Sequence, residues 1–315
     1  MKKHIVILCD GAADTPVTEL NGKTPLEVAH KPNIDRIASM GEMGMTITVP
    51  GNLPPGSDVA NLAVFGYDPQ IYYTGRSPLE AVSIGVPLEL TDTTFRANLV
   101  TLSEAEEKYE EKTMVDYSSD EITTDEAEKL IQAVNEALKT QEYEFFRGIS
   151  YRHLLVWHNK ENKFSLTPPH DISDRKITEY LPKDDVLLAL MKKSYDILKD
   201  HPVNQDRRKR GLRPANSIWI WGNGTKPNLT TYKERFDITG AVVSAVDLIK
   251  GIGYCAGLDV IDVPGATGNV HTNFDGKAQA AIRALQNGAD FVYVHLEAAD
   301  EAGHRREVNN KVKAI

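Results

Sequence analysis

His4-Ile5-Val6-Ile7-Leu8-Cys9-Asp10-Gly11 opens the chain. From Ile5 its apolar side chains run without a polar break until Asp-Gly stops them. A short continuous apolar run closed by a turn signal marks a strand buried on both faces of a parallel sheet. The rest of the chain is read outward from that strand. Thr24-Pro25-Leu26-Glu27 carries the signal of a helix start, and Pro32-Asn33-Ile34-Asp35 repeats it. Residues 49–55 are rich in Pro and Gly and irregular, and a helix begins beyond them near Ser57 or Asp58. The last third alternates: strand at 216–221, helix at 241–249, strand at 258–263, helix at 276–285, strand at 290–296. Such alternation gives an α/β fold on a doubly wound, mostly parallel sheet.

The middle of the chain breaks this rhythm. Residues 104–111 are a solvated charge run. Residues 124–138 set Ala127, Leu130, Ile131, Val134 and Leu138 on one helical face, with acidic residues in the first turn. A strand at 151–157 and a helix at 184–198 follow, then the basic stretch from Arg207 to Arg213. Residues 87–214 therefore read as a smaller α+β domain inserted into a discontinuous domain of residues 1–86 and 215–315. No internal repeat and no low-complexity tract interrupts either part.

The 315 residues suffice for two domains of ~150 residues each. With 36 Lys and Arg against 45 Asp and Glu, the formal net charge is −9, which argues against a nucleic-acid binder. Hydrophobic residues at 41% and charged residues at 26% describe an ordinary globular chain. No apolar run approaches the ~18 residues of a membrane span, and the first apolar stretch is too short for a signal peptide. Two cysteines, Cys9 and Cys255, build no disulfide framework and fit a reducing cytoplasm.

Several side chains carry chemistry by position. Asp10 follows the first strand, and ligands of open α/β sheets bind outside the carboxyl ends of strands. It serves either a cation or an Asx turn. Asp300 and His304 stand four apart after the last strand, so they face the same way and can share a metal such as Mn²⁺ or Zn²⁺. An acidic helix start is the alternative. Ser57, in Pro54-Pro55-Gly56-Ser57-Asp58, is either a nucleophile at a helix start or an N-cap. Arg147, Arg152, His153, His170, Arg175, Arg207 and Arg213 suggest a grip on an anion. The run Arg208–Arg210 reads as a solvated basic face. Lys250 is a helix C-terminal cation or an active-site ammonium. Gly251-x-Gly253-x-x-x-Gly257 follows a helix and precedes a strand, the wrong order for a dinucleotide loop, and reads as a turn.

Longer motifs add a resemblance. Asp10-Gly11-Ala12-Ala13-Asp14, Leu20-Asn21-Gly22-Lys23-Thr24-Pro25-Leu26 and Pro55-Gly56-Ser57-Asp58-Val59-Ala60-Asn61 look like the archaeal-type cofactor-independent phosphoglycerate mutases. So do Gly66-Tyr67-Asp68-Pro69, Tyr73-Thr74-Gly75-Arg76, Ile218-Trp219-Ile220-Trp221-Gly222 and Glu297-Ala298-Ala299-Asp300-Glu301-Ala302-Gly303-His304. The resemblance covers the whole chain and implies an alkaline-phosphatase-like fold. It implies interconversion of 3-phosphoglycerate and 2-phosphoglycerate through a phosphoserine on Ser57, with two divalent ions, Mn²⁺ or Mg²⁺. Asp10 and Ser57 would serve one ion, and Asp300 and His304 the other. Lys250 would neutralise the moving phosphoryl group. In the insert, Arg147, Arg152, His170, Asp171, Arg207 and Arg213 would hold the substrate, and closure would keep water from the phosphoserine.

Against that pattern, the sequence stops at Lys311-Val312-Lys313-Ala314-Ile315 in mid-helix without a C-cap signal. Family members continue, with an Asp-His pair and a further histidine completing the two metal sites. Two ligands per ion fall short of the usual three or more. The expectation is a C-terminally truncated form with an open sheet edge, weak metal binding and poor turnover. The competing readings are a metal-dependent phosphatase or phosphotransferase on another metabolite, and an inactive phosphoglycerate-binding protein. A homoserine kinase, the label some relatives carry, would need ATP, and neither a P-loop nor a kinase Gly-rich loop is present. The oligomeric state is left open.

Overall fold

A computed structural model describes residues 2–315. Among them the strands are β1 (His4–Cys9), β2 (Thr93–Leu102), β3 (Met114–Asp116), β4 (Tyr143–Ile149), β5 (Arg152–Trp157), β6 (Ser217–Thr225), β7 (Gly240–Val243), β8 (Asp259–Ile261) and β9 (Phe291–Leu296). They form two sheets, each in its own compact unit. One unit runs up to Tyr73 and resumes at Asn228; the other is Thr74–Pro227.

The first unit holds a parallel sheet in the order β1-β9-β7-β8. Period-2 alternation in β9 sends Val292 and Val294 to one face, where Ala241, Val243, Ala280 and Ala281 join them. The last two belong to the helix Phe274–Gln286. On the other face Tyr293 stacks on Phe65, ring centroids 4.0 Å apart. The opening run is a strand as expected, but it is not buried on both faces. β1 lies at the sheet edge, pairs with β9, and leaves Ile5 and Ile7 about half exposed, at 48% and 55%. The helix Pro32–Met40 buries none of its residues. Its Ile37 and Met40, and Met43, Met45 and Ile47 after it, are exposed too.

The second unit is an antiparallel sheet centred on the wholly buried β2, which pairs with β5 and β6 along its flanks and with β3 at its end. β4 lies outside β5. Helices Thr124–Leu138 and Asp185–Leu198, both expected, supply Leu130, Ile131, Val134, Leu187, Leu190 and Met191 to its main core. A smaller cluster joins Ala81, Val86 and Leu88 to Leu154 and Val156. This unit is wider than the block 87–214 read from the sequence. The strand expected at 216–221 is real, but it pairs antiparallel with β2 instead of joining the parallel sheet. Helix Ser77–Ser83 also packs on β2, with the Ser77 hydroxyl donating to Thr94 O at 3.1 Å. A second correction concerns residues 241–249. They split into β7 and the start of helix Asp247–Cys255, so Lys250 sits inside a helix and not at its C-terminus. Gly251 and Gly253 are helical as well, and a Cβ on Gly253 would meet Val242 at 2.8 Å, so that glycine lets the helix close on β7.

Candidate active site

Asp10 is placed by the β1–β9 ladder. Its backbone N–H continues the pairing, donating to Leu296 O at 2.9 Å. Gly11 turns the chain at φ +68°, and a Cβ there would stand 2.3 Å from the Asp300 Cα. The loop after β1 and the first turn of helix Ala298–His304 are thus in backbone contact, which brings two carboxylates together. Their electrostatics differ. A hydrogen bond from His295 is the main cause holding the Asp10 carboxyl below the usual range. Burial, with the Asp10 charge second, pushes Asp300 up. His304 lies one turn on, its Nε2 3.4 Å from Asp300 Oδ2, as the i, i+4 spacing required.

Ser57 opens helix Ser57–Val64 behind Gly56, which offers no side-chain cap. The Ser57 carbonyl accepts from Asn61 Nδ2 at 2.8 Å, and Asn61 Oδ1 accepts from Tyr293 OH at 2.6 Å. Asn61 is also the least of the named causes that lower the Asp10 carboxyl. One buried amide therefore ties the serine turn to β9. Asp58, in the first turn of this helix, accepts from Val59 N at 3.0 Å and from Tyr73 OH at 2.8 Å. Lys250 is engaged elsewhere: its Nζ lies 2.6 Å from Asp262 Oδ1 beyond β8.

Two partners in this unit escaped the sequence reading. Asn61 stands at the end of the motif Pro55–Asn61 with no role given to it. His295, next to last in β9 and 1% exposed, sets its Nε2 3.2 Å from Asp10 Oδ2 and its Nδ1 3.3 Å from Ser244 Oγ. The usable signal was a lone imidazole in an otherwise apolar strand.

In the second unit the basic candidates separate. Arg207 is interior, its side chain 2% exposed, and donates to Glu126 Oε2 and Ser119 O at 2.6 Å and to Arg213 O at 2.9 Å. That guanidinium holds the fold together and is out of a substrate's reach. Arg213 pairs with Asp116 at 3.1 Å and Asp120 at 3.6 Å, and Arg147 with Glu128. Arg152 and His170 lie among aromatic rings. Tyr151, Tyr117, His170 and Trp221 stand edge to face in succession. The Arg152 guanidinium lies 5.5 Å from the Tyr151 ring, and Asp171 is 3.6 Å from His170.

Arg96 and Arg76, given no role from the sequence, join this group. The Arg96 guanidinium lies 4.5 Å from the Trp221 ring, and its Nε is 3.1 Å from Glu80 Oε2, although the Nε–H does not point at the oxygen. Arg76 Nε donates to Glu80 Oε1 at 2.8 Å. Burial alone would raise the Glu80 carboxyl, but the charges of Arg96, Arg76 and Arg152 outweigh it and hold it low. Three guanidiniums around one carboxylate leave excess positive charge, the setting an anion needs.

Known proteins match this chain over nearly its whole length. The family profile described as 2,3-bisphosphoglycerate-independent phosphoglycerate mutase matches residues 38–204. A Methanosarcina barkeri protein of that name is 49% identical over 319 residues, covering 99% of this chain and 78% of its own length.

The chain belongs to this family.

A Geobacter sulfurreducens relative named "Probable 2,3-bisphosphoglycerate-independent phosphoglycerate mutase" is 50% identical over 316 residues, with the same coverage of both chains. Among solved structures, a Pyrococcus horikoshii protein superposes with a TM-score of 0.80 at 33% identity, covering 99% of this chain and 74% of that one. The cofactor-independent phosphoglycerate mutase of Thermoplasma acidophilum gives 0.63 at 30% identity, covering 99% and 82%. This chain is of the archaeal type of phosphoglycerate mutase.

The metals expected from the family meet a mixed donor set. Carboxylate, hydroxyl and imidazole suit Mn²⁺ or Mg²⁺ in kind. The Asp300 carboxyl is raised chiefly by burial and secondly by the Asp10 charge beside it. In number the set falls short: among the described residues no group of three or more His, Cys, Asp or Glu could hold an ion. No helix among them is long and apolar enough to cross a membrane.

Proposed function

We propose that the chain interconverts 3-phosphoglycerate and 2-phosphoglycerate through a phosphoserine on Ser57, as a cytoplasmic enzyme of glycolysis and gluconeogenesis. The observation that supports this best is the packing of the Asp10-Gly11 turn against Asp300, with Ser57 held through Asn61 to Tyr293 of the same sheet. In this reading the first unit is an alkaline-phosphatase-like, doubly wound catalytic domain, and the second is its substrate-binding insert.

The Ser57 Oγ attacks phosphorus and gives up its proton, the bond from phosphorus to the substrate's O3 breaks, and O3 takes up a proton to leave glycerate with a free 3-hydroxyl. The glycerate turns, its O2 attacks the phosphoserine, and Ser57 regains its proton. Ser57 starts a helix, so unpaired backbone N–H groups and the helix dipole favour the phosphoryl oxygens. Divalent ions would supply positive charge for the serine oxygen and the phosphoryl group, with Asp10 and Ser57 as ligands of one and Asp300 and His304 of the other. Asn61 fixes the backbone that carries the serine. In the second unit, Arg152, Arg96 and Arg76 around Glu80, with His170 nearby, bind the substrate's anionic groups. Arg207 is left out of this reading because it is buried against Glu126, and Lys250, paired only with the exposed Asp262, keeps the role of neutralising the moving phosphoryl group.

A coupled assay with enolase and added Mn²⁺ tests this on protein of verified mass. Turnover of 3-phosphoglycerate that Ser57→Ala lowers by ~10³-fold or more supports the phosphoserine route. Turnover that survives the substitution overturns it.

A further inference from the structure

Two apolar rows cross one face of the parallel sheet. Strand register sets Ile5 in line with Val292 and Ala241, and Ile7 in line with Val294, Val243 and Ile261. Helix Phe274–Gln286 covers the middle of these rows, where Ala280 and Ala281 bury Val292, Val294, Ala241 and Val243. The rows then run on to β1, where Ile5 and Ile7 stand half exposed. The helical cover stops one strand short of the sheet.

The edge of β1 is bare in the same place. Among the described residues no strand pairs with its far side. His4 N–H donates to Asp290 O at 2.8 Å and Asp10 N–H to Leu296 O at 2.9 Å, so the even-numbered amides face β9. Alternation along a strand turns the N–H groups of Ile5, Ile7 and Cys9 the other way, with no partner in the sheet. Natural free edges are blunted by charges, prolines, bulges or short length. β1 shows none of these between Ile5 and Leu8: its six residues pair with β9 in unbroken register, and those four are uncharged.

We propose that this bare end of the sheet is the seat of a strand-and-helix unit. Its strand pairs along the free edge of β1, and its amphipathic helix lies beside Phe274–Gln286 over Ile5 and Ile7. A strand alone would leave both isoleucines in water, and a helix alone would leave three amides unpaired. Parallel sheets grow by such units, because the crossover that joins two strands covers a face. The occupant is the part of the family's chain that has no counterpart among these 315 residues. In the Methanosarcina barkeri relative the 319 matched residues are 78% of the chain, so about 90 lie outside the match. A strand-helix-strand unit takes roughly 30 residues, so that part is long enough to supply one. A second copy of this chain fits worse: β1 against β1 would pair the amides and bring no helix over the isoleucines. The inference rests on the sheet alone and not on the chemistry assigned to Ser57.

Amide hydrogen exchange, followed by nuclear magnetic resonance on the ¹⁵N-labelled 315-residue chain, tests this directly. The probe is the unmatched part of the Methanosarcina barkeri relative, made as a separate chain and added in excess. At ~100 times its dissociation constant it should slow exchange at Ile5, Ile7 and Cys9 about 100-fold. Val6 and Leu8, whose amides already face β9, should change far less. Ile7→Lys, at a half-exposed site, should leave the chain folded by circular dichroism and weaken binding about 10-fold or more, since the docked helix would bury its charge. A flexible linker joining the probe to the chain gives the same readout where the free segment is insoluble. No slowing at the three amides in either format overturns the proposal. So does slowing that appears without the probe and rises with protein concentration, the mark of a second copy. Binding that Ile7→Lys leaves intact overturns the helix over the isoleucines. Loss of the phosphoserine route would appear separately, in the Ser57→Ala assay.

Discussion

Gly11 is the hinge pin of the candidate site, and its replacement by alanine has a calculable cost. Two terms add. At φ +68° a side chain sits in the left-handed region, worth about 1–2 kcal/mol against any residue with a Cβ. The new Cβ would also lie 2.3 Å from Asp300 Cα and 2.5 Å from its N, contacts that backbone cannot absorb without moving. Relieving such an overlap typically costs about 1–3 kcal/mol. The sum is about 2–5 kcal/mol, a large part of the ~5–15 kcal/mol that holds a domain folded. Gly22 supplies the control, because it has nearly the same backbone angle, φ +74°, and nothing within 4 Å of its Cβ position. Gly22→Ala should therefore carry the backbone term alone. Urea unfolding of both variants, read against wild type, isolates the close approach as the difference between them. The expected difference is about 1–3 kcal/mol. Mutase turnover should fall further in Gly11→Ala than in Gly22→Ala, because relief of the clash separates Asp10 from Asp300. Equal destabilisation by the two substitutions would refute the claim that the turn and the Asp300 backbone are packed against each other.

Burial depresses the His153 imidazole to a pKa of about 3, and its Nε2 has no partner. The unfolded chain binds that proton below its ordinary value near 6.5 while the folded chain refuses it, so stability is lost as pH falls from about 6.5. Between pH 7.5 and 5 this one group should remove about 2 kcal/mol, seen as a pH slope in urea unfolding that His153→Leu flattens; an unchanged slope would contradict it. Arg207→Ala should cost about 3 kcal/mol, since the guanidinium is buried and leaves Glu126 and two carbonyls short of a donor. Arg213→Ala, at a side chain 51% exposed, should cost under about 1 kcal/mol. The reverse ranking would mean that Arg207 is not the residue tying this face together.

What the sequence reveals follows the range of the interaction that decides each feature. The β1 strand, the turn at Asp10 and the Asp300–His304 pair are settled within a few residues, and the structure forms each of them. Whether a strand is covered is not a local property: Ile5 and Ile7 have the composition of a core and the exposure of an edge. The strand at β6 was legible and its sheet was not, because its partner Leu99 is 119 positions before Ile218 and nothing in either segment names the other. The run Ala241-Val242-Val243 suits a helix by apolarity alone, and only its valine pair, stiff at χ1, favours the strand that forms. The arginines show the same limit at the level of a site. Composition marks Arg207 and Arg152 alike as cations for an anion. One is then claimed by Glu126, 81 residues away, while the other lies beside Arg96 and Arg76 around a single glutamate. His295 was the hardest to see, since an imidazole inside an apolar strand is indistinguishable from a satisfied core residue until β1 and β7 are set on either side of it. Strand ends announce where chemistry can occur, whereas the side chains that orient it are chosen by neighbours that only the fold brings together.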